Sequence, residues 1–278
     1  SAIQALKCGA VVYLQKPVKV DELMQTLRRG MEFKRIAVER EAMAGTAGGA
    51  RPGDIDARLI GTSPKIRRLA TQLKKLASAH TPVLVGGELG AGHEIVAELL
   101  HAAGSPAGSP FIAVDCRLNA PDVLQEKLLG PERNGGKWIL EAKGGTLFLQ
   151  HLQCLGPEAQ QALVSVLRTN VHHFRLVCST EEDLEKLTEE GGFNEELFYR
   201  IDERPGNLAQ LRERPEDLPL LLKDIAARSA NPHFDARLIE FTDDALATLR
   251  AYRWPRNLAE FTQFGSQVLS TSETRVIT

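Results

Sequence analysis

The chain has 278 residues, 43% of them hydrophobic and 25% charged, and a formal net charge of -2. This is the composition of a soluble globular protein with one large or two modest domains, and the charge balance excludes a chain that binds polyanions over its whole surface. No apolar run is long enough to span a membrane, and no basic, then apolar, then small-residue pattern opens the chain, so a cytoplasmic location is the expectation. The four cysteines, Cys8, Cys116, Cys154 and Cys178, lie far apart without a C-x-x-C pair. Three stand in or beside apolar runs, which points to buried thiols and away from disulfides or zinc.

Residues 1–42 read as helix, strand, helix. "VVYL" (11–14) is a short strand ended by Lys16-Pro17, and "VDELMQTLRRGMEFKRIAVERE" repeats apolar residues at three and four. Three elements cannot bury a core alone, so this piece belongs to a larger unit or packs on another. Residues 43–56 contain "MAGTAGGARPGDI", a Gly/Ala/Pro linker.

Residues 57–212 alternate strands and helices. The spacing predicts strands at "PVLVGG" (82–87), "PFIAVDC" (110–116), "GTLFLQHL" (145–152) and "HFRLVCST" (173–180). Short continuous apolar runs separated by helical patterns indicate a parallel sheet covered on both faces. Before the first strand, "KIRRLATQLKKL" (65–76) carries five cations beside Ile66, Leu69, Leu73 and Leu76 at helical spacing. It reads as the solvated face of an ordinary helix. His172-His173 reads as a polar turn. Residues 213–278 turn helical and predict a small all-α subdomain. Thr242 is placed to cap "DDALATLRAY" and Pro255 to start "RNLAEFTQFGSQVL".

"GGELGAGHE" (86–94) follows the first strand. Gly87, Glu88, Leu89, Gly90, Ala91, Gly92, His93 and Glu94 form a glycine-rich strand-to-helix turn, whose backbone N–H groups and helix dipole suit a phosphate. Such a turn alone is a weak signal. Its context is more specific: "LIGTSPKIRRL" (59–69), "GELGAGHEIVAELLH" (87–101), "SPFIAVDC" (109–116), "KGGTLFLQHL" (143–152), "GGFNEELFYRI" (191–201), "LRERPEDLPLL" (211–221) and "YRWPRNLAEF" (252–261) follow in order. Together they resemble the AAA+ central domain of bacterial enhancer-binding proteins, the sigma-54-dependent activators of the nitrogen-regulator class. The resemblance implies an α/β P-loop NTPase fold with a five-stranded parallel sheet, helices on both faces and a helical lid. "AIQALKCGAVVYLQKPVKVDELMQTLRRG" resembles the last third of a response-regulator receiver, with Tyr13 at its switch aromatic and Lys16 in its lysine-proline pair. The phosphoacceptor aspartate is then expected upstream of residue 1.

The site departs from the family pattern. The P-loop lysine is His93, and the Walker B Asp-Glu pair is Gln150-His151. The sensor asparagine is Glu181, the first of two finger arginines is Asn194 while Arg200 remains, and the lid's sensor arginine is Ala259. These groups supply most of the charge that phosphoryl transfer requires. The interval "PERNGGKWILEAK" (131–143) is shorter than the family's GAFTGA loop, and "LRTNVHHFRLV" (167–177) leaves little room for its second insertion. The strand expected after Arg200, "IDERPGNLAQL" (201–211), carries charges and Pro-Gly and predicts an irregular edge.

The implied reading is a pseudo-ATPase, a regulatory or assembly module in transcription control. ATP would bind weakly or not at all, and no cofactor or metal is expected, since His93 and His151 give two ligands only. Two alternatives stay open: an ATP-dependent activator with residual activity, using His151 as base, and a switch that binds nucleotide without hydrolysis. Homo-oligomers through the AAA+ domain or the helix of residues 20–42, DNA contact only through a domain outside this chain, and no membrane contact complete the expectations.

Overall fold

The computed structural model describes residues 53–79, 81–130, 135–169, 173–201, 204–228, 240–271 and 276–277. Tyr13, Lys16, the helix of residues 20–42 and most of the 43–56 linker lie outside them. Residues 55 and 56, read as linker, begin α1 (Ile55–Arg58), capped by Asp54.

Ser63 and Pro64 start α2 (Pro64–Ser78): the Ser63 Oγ accepts the Ile66 N–H at 3.4 Å, and proline is tolerated in the first turn because its missing N–H is not needed there. Ile66, Leu69, Ala70, Leu73 and Ala77 are buried, while Lys65, Arg67, Arg68, Lys74 and Lys75 are exposed. The cationic stretch is thus a solvated face. Strand β1 (Val83–Gly86) leads through the glycine turn into α3 (His93–Gly104). Then come β2 (Phe111–Asp115), α4 (Pro121–Leu129), α5 (Lys137–Glu141), β3 (Thr146–Gln150), α6 (Pro157–Thr169), β4 (Arg175–Thr180), α7 (Leu184–Glu189) and α8 (Glu195–Arg200).

The strands run in the order β1-β4-β3-β2, every pair parallel. Successive residues feed opposite cores, as the pleat demands. Leu147, Leu149, Leu176 and Cys178 pack with Leu124, Leu163 and Leu197 on one face. Phe148, Val177, Val83 and Val85 pack with Leu73, Val96 and Leu100 on the other. Arg175, at the start of β4, is buried. Its guanidinium donates to Leu76 O at 2.7 Å, Leu100 O at 3.0 Å and Ala77 O at 3.4 Å, so one cation caps the C-terminal ends of α2 and α3.

A fifth strand was expected, and among the described residues this sheet has four. The place beside β1 holds an irregular stretch, residues 204–210, tied to it by the Leu208 N–H to Gly86 O at 2.8 Å. Pro205 has no N–H to give a ladder, and Gly206 sits at φ +88°.

The lid contains α9 (Leu218–Arg228), α10 (Asp243–Ala251) and α11 (Asn257–Thr271) around Leu211, Leu222, Leu249, Trp254 and Phe261. Thr242 caps α10, its Oγ1 accepting the Ala245 N–H at 3.3 Å. Helix α11 begins at Asn257, two residues beyond Pro255, because Trp254 and Asn257 take left-handed φ values of 50° and 49°. The lid is not all-α: β5 (Glu240–Phe241) and β6 (Val276–Ile277) pair in parallel, joining chain that the helical packing leaves extended.

Candidate functional site

All strands are parallel, so their carboxyl ends share one edge of the sheet, where open α/β folds bind ligands. There β1 yields the glycine loop, β2 ends in Asp115, β3 in Gln150-His151 and β4 in Thr180-Glu181. In the loop, Ala91 N–H donates to Glu88 O at 3.1 Å, and Gly90 and Gly92 have φ values of +75° and +111°. A Cβ on Gly90 would lie 2.3 Å from Arg256 O. The turn that leads into α11 therefore packs directly on the loop, and only glycine fits there.

His93, the first residue of α3, is 8% exposed, and its Nε2 is buried without a hydrogen-bond partner. Burial pushes its imidazole below the ordinary histidine value, the Glu181 carboxylate opposing and His151 adding to the effect. Glu94 beside it is exposed. His151, 6% exposed, takes a left-handed φ of 56° immediately after β3. Its Nδ1 lies 2.7 Å from Glu181 Oε2, and its Nε2 3.6 Å from Asp115 Oδ2. At 2.7 Å from a carboxylate the Nδ1 must carry the proton.

Gln153 also donates to Glu181 Oε2. Burial raises the Glu181 carboxyl, but the hydrogen bonds from His151 and Gln153 and the nearby imidazoles outweigh it, and its pKa falls below the usual carboxylate range. Asp115 follows the same pattern: burial raises it, and the Arg117 hydrogen bonds, at 2.9 and 3.1 Å, and His151 bring it down. Asp115 is a site residue that sequence reasoning missed: it reaches His151 from the end of β2. Its signal was its place as the last residue of a strand, the same register position as Gln150.

His93 and His151 do meet electrostatically, but each has its own setting: His151 lies between two carboxylates, and His93 lies under the loop. Among the described residues, no three His, Cys, Asp or Glu side chains form a metal set. Glu181 turns to His151 and Gln153. Asn194 is the N-cap of α8, its Oδ1 accepting the Leu197 N–H at 2.9 Å while its own N–H donates to Gln160 at 2.7 Å. Arg200 ends α8 exposed, paired to Glu196 at 2.8 Å. Ala259 lies on the lid side of the loop, its N–H donating to Gly90 O at 3.3 Å. A cleft of about 730 Å³ opens between Glu88, Leu89, Glu181, Arg212, Arg253 and Pro255.

The thiols are partly as expected. Cys116 and Cys178 are buried, and burial pushes the Cys116 thiol up to about 12. Cys154 is exposed in a 3-10 turn after β3, contrary to the expectation of burial: the turn buries Leu152, the last residue of the apolar run, and leaves Cys154 outside. Cys8 lies outside the described residues. His173, at φ 45°, accepts the Gly144 N–H through its carbonyl and is a turn residue; His172 lies outside the described residues.

The C4-dicarboxylate transport transcriptional regulatory protein DctD of Pseudomonas aeruginosa is 33% identical over 93% of this chain and 60% of its own length. Response regulator protein PilR of the same organism is 31% identical over 94% and 60%, and DNA-binding transcriptional regulator NtrC of Azospirillum brasilense 31% over 94% and 56%. The chain thus spans about three fifths of the length of these curated relatives. Among solved structures, NtrX from Brucella abortus in complex with ATP aligns with a TM-score of 0.69 at 27% identity, over all of this chain and 66% of that one. Its complex with ADP aligns with the same score at 26% identity, over all of this chain and 65% of that one. The Holliday junction branch migration motor RuvB of Thermotoga maritima shares the fold alone, at 16% identity and a TM-score of 0.53 over 79% of this chain and 65% of that one. The sigma-54 interaction domain model matches residues 60–211 and the AAA+ ATPase lid domain model residues 212–278, and the chain belongs to the sigma-54 interaction domain family.

Proposed function

We propose that this chain is the central part of a cytoplasmic two-component response regulator and acts in transcription control as a non-hydrolysing regulatory or assembly module. The observation that carries the reading is the charge pattern around the glycine loop. A buried imidazole with lowered basicity stands where the family's lysine reaches the phosphates, and Glu181 with its His151 partner takes the end of β4. The residues do not fit a magnesium nucleotide. The carboxylates that end β2 and follow β4 are engaged, Asp115 by Arg117 and Glu181 by His151, and the turn that leads into α11 rests on Gly90. Removing one stabilising donor costs about a hundred- to a thousand-fold in rate. Losses within one unit do not multiply, but the remainder sits near background.

The relatives extend the reading upstream. They match 93–94% of the chain, more than the two family models cover, so the similarity enters the segment before residue 60. PilR is by name a response regulator, which supports a receiver there. Homo-oligomerisation through this domain, and DNA contact through a domain beyond these residues, belong to the same proposal. Among the described residues no helix is long and apolar enough to cross a membrane.

The test is steady-state phosphate release at high protein concentration beside an ATP titration. Turnover at background and weak or absent binding are expected, and His93→Lys alone restores nothing, because Gln150 and His151 are unchanged. Turnover abolished by His151→Ala would establish a residual ATPase. One observation favours a second reading, a nucleotide-binding switch: NtrX has been crystallised with both ATP and ADP. Tight binding without turnover would select it.

A further inference from the structure

Glu88 is the second residue after β1, yet all four of its side-chain hydrogen bonds run to the lid and the segment that leads into it. Oε1 accepts from Gln210 Nε2 and Arg212 Nη2, both at 2.7 Å. Oε2 accepts from Arg212 Nη1 at 2.9 Å and Asn257 Nδ2 at 3.2 Å. The Arg212 pair is bidentate, the strongest geometry for such a contact. Asn257, fully buried, spreads the contact further: its Nδ2 also donates to Leu89 O at 3.1 Å, and its Oδ1 accepts the Leu211 N–H at 2.9 Å. It does so at φ 49°, a left-handed conformation that asparagine tolerates better than other side chains. The Ala259 N–H to Gly90 O bond, at 3.3 Å, closes the seam.

We infer that Glu88 is a latch: through Arg212 and Asn257 it fixes the lid on the glycine loop, so that the chain's own side chains, and not a bound nucleotide, set the angle between core and lid. The carboxylate is the anion that the Arg212 guanidinium holds directly. An isolated pair as exposed as this one contributes little. The sharing of both oxygens with Gln210 and the buried Asn257 gives the contact its geometry. Only the clause on nucleotide rests on the non-hydrolysing reading of the site.

Hydrogen exchange tests it on wild type, Glu88→Gln, Arg212→Gln and the double variant, each with and without ATP and Mg²⁺. Arg212 is largely solvated, so Arg212→Gln keeps the test open should Glu88→Gln fold poorly. Each single variant is expected to speed exchange at Ala259, Glu260 and the loop about five- to tenfold, with β3 unchanged and no further gain in the double variant. Unchanged exchange at these amides, equal acceleration in β3, or additive effects in the double variant would overturn the latch. Protection of Ala259 and Glu260 by ATP in the wild type would overturn the nucleotide-independent clause. Phosphate release, measured separately, would overturn the non-hydrolysing reading and leave the latch to the exchange data.

Discussion

His93 and Glu181 meet at the loop with pKa values displaced in the same direction, each with its own pH window. Burial lowers His93 from the ordinary value of 6.5. An unfolded chain takes up this proton near pH 6.5, and the folded chain takes it up lower. Stability therefore falls as pH drops below about 6.5 and levels once the folded group protonates. Glu181, lowered from 4.5, contributes stability above about pH 4.5 that is lost as pH falls further, through its folded pKa. Denaturation midpoints from about pH 8 to pH 3.5 check both. His93→Asn should flatten the first window and Glu181→Gln the second. An unaltered slope in His93→Asn would show that its burial is not what couples folding to protons there.

Two side chains carry weight at the scale of elements that their residue types do not announce. Arg175 satisfies carbonyls at the ends of α2 and α3 from inside the core. Arg175→Met removes these buried contacts and should cost about 3 kcal/mol, read as a shift in urea midpoint. Asn194 caps α8. Asn194→Ala should cost about 1 kcal/mol, with Asn194→Asp close to wild type. In the lid, Trp254 packs edge-on against Phe261 at 4.8 Å, and its Nε1 donates to Leu249 O at 3.0 Å. Trp254→Ala should cost roughly 3–5 kcal/mol and speed exchange in α11 before β3. Equal loss in both elements would contradict a separate lid core.

At the scale of the molecule, the core and lid meet along the glycine loop through Glu88, Gln210, Arg212, Asn257 and the Ala259 N–H to Gly90 O bond. If the assembly is nucleotide-independent, sedimentation velocity should give the same mass distribution with and without ATP and Mg²⁺. An ATP-dependent shift would restore the nucleotide to the mechanism.

The four parallel strands and the glycine turn were legible in the sequence, because apolar runs must be buried and Gly-rich turns are the ones free to take positive φ. His93, Gln150, His151, Glu181, Asn194 and Ala259 were read in the sequence as departures from the motifs it resembles. Their partners were not. Asp115 reaches His151 from the next strand, and Arg175 reaches carbonyls about 75 to 100 positions away in the chain. Glu88 finds its partners more than 120 residues on. The missing strand beside β1 was foreseen as an irregular edge, since Pro205 forbids a ladder bond, though not as one bond from Leu208. Local sequence determines which residues are apolar, which turns need glycine and which charges are absent. Only the tertiary fold decides which polar groups meet, because hydrogen bonds between distant residues depend on the packing of the elements that carry them.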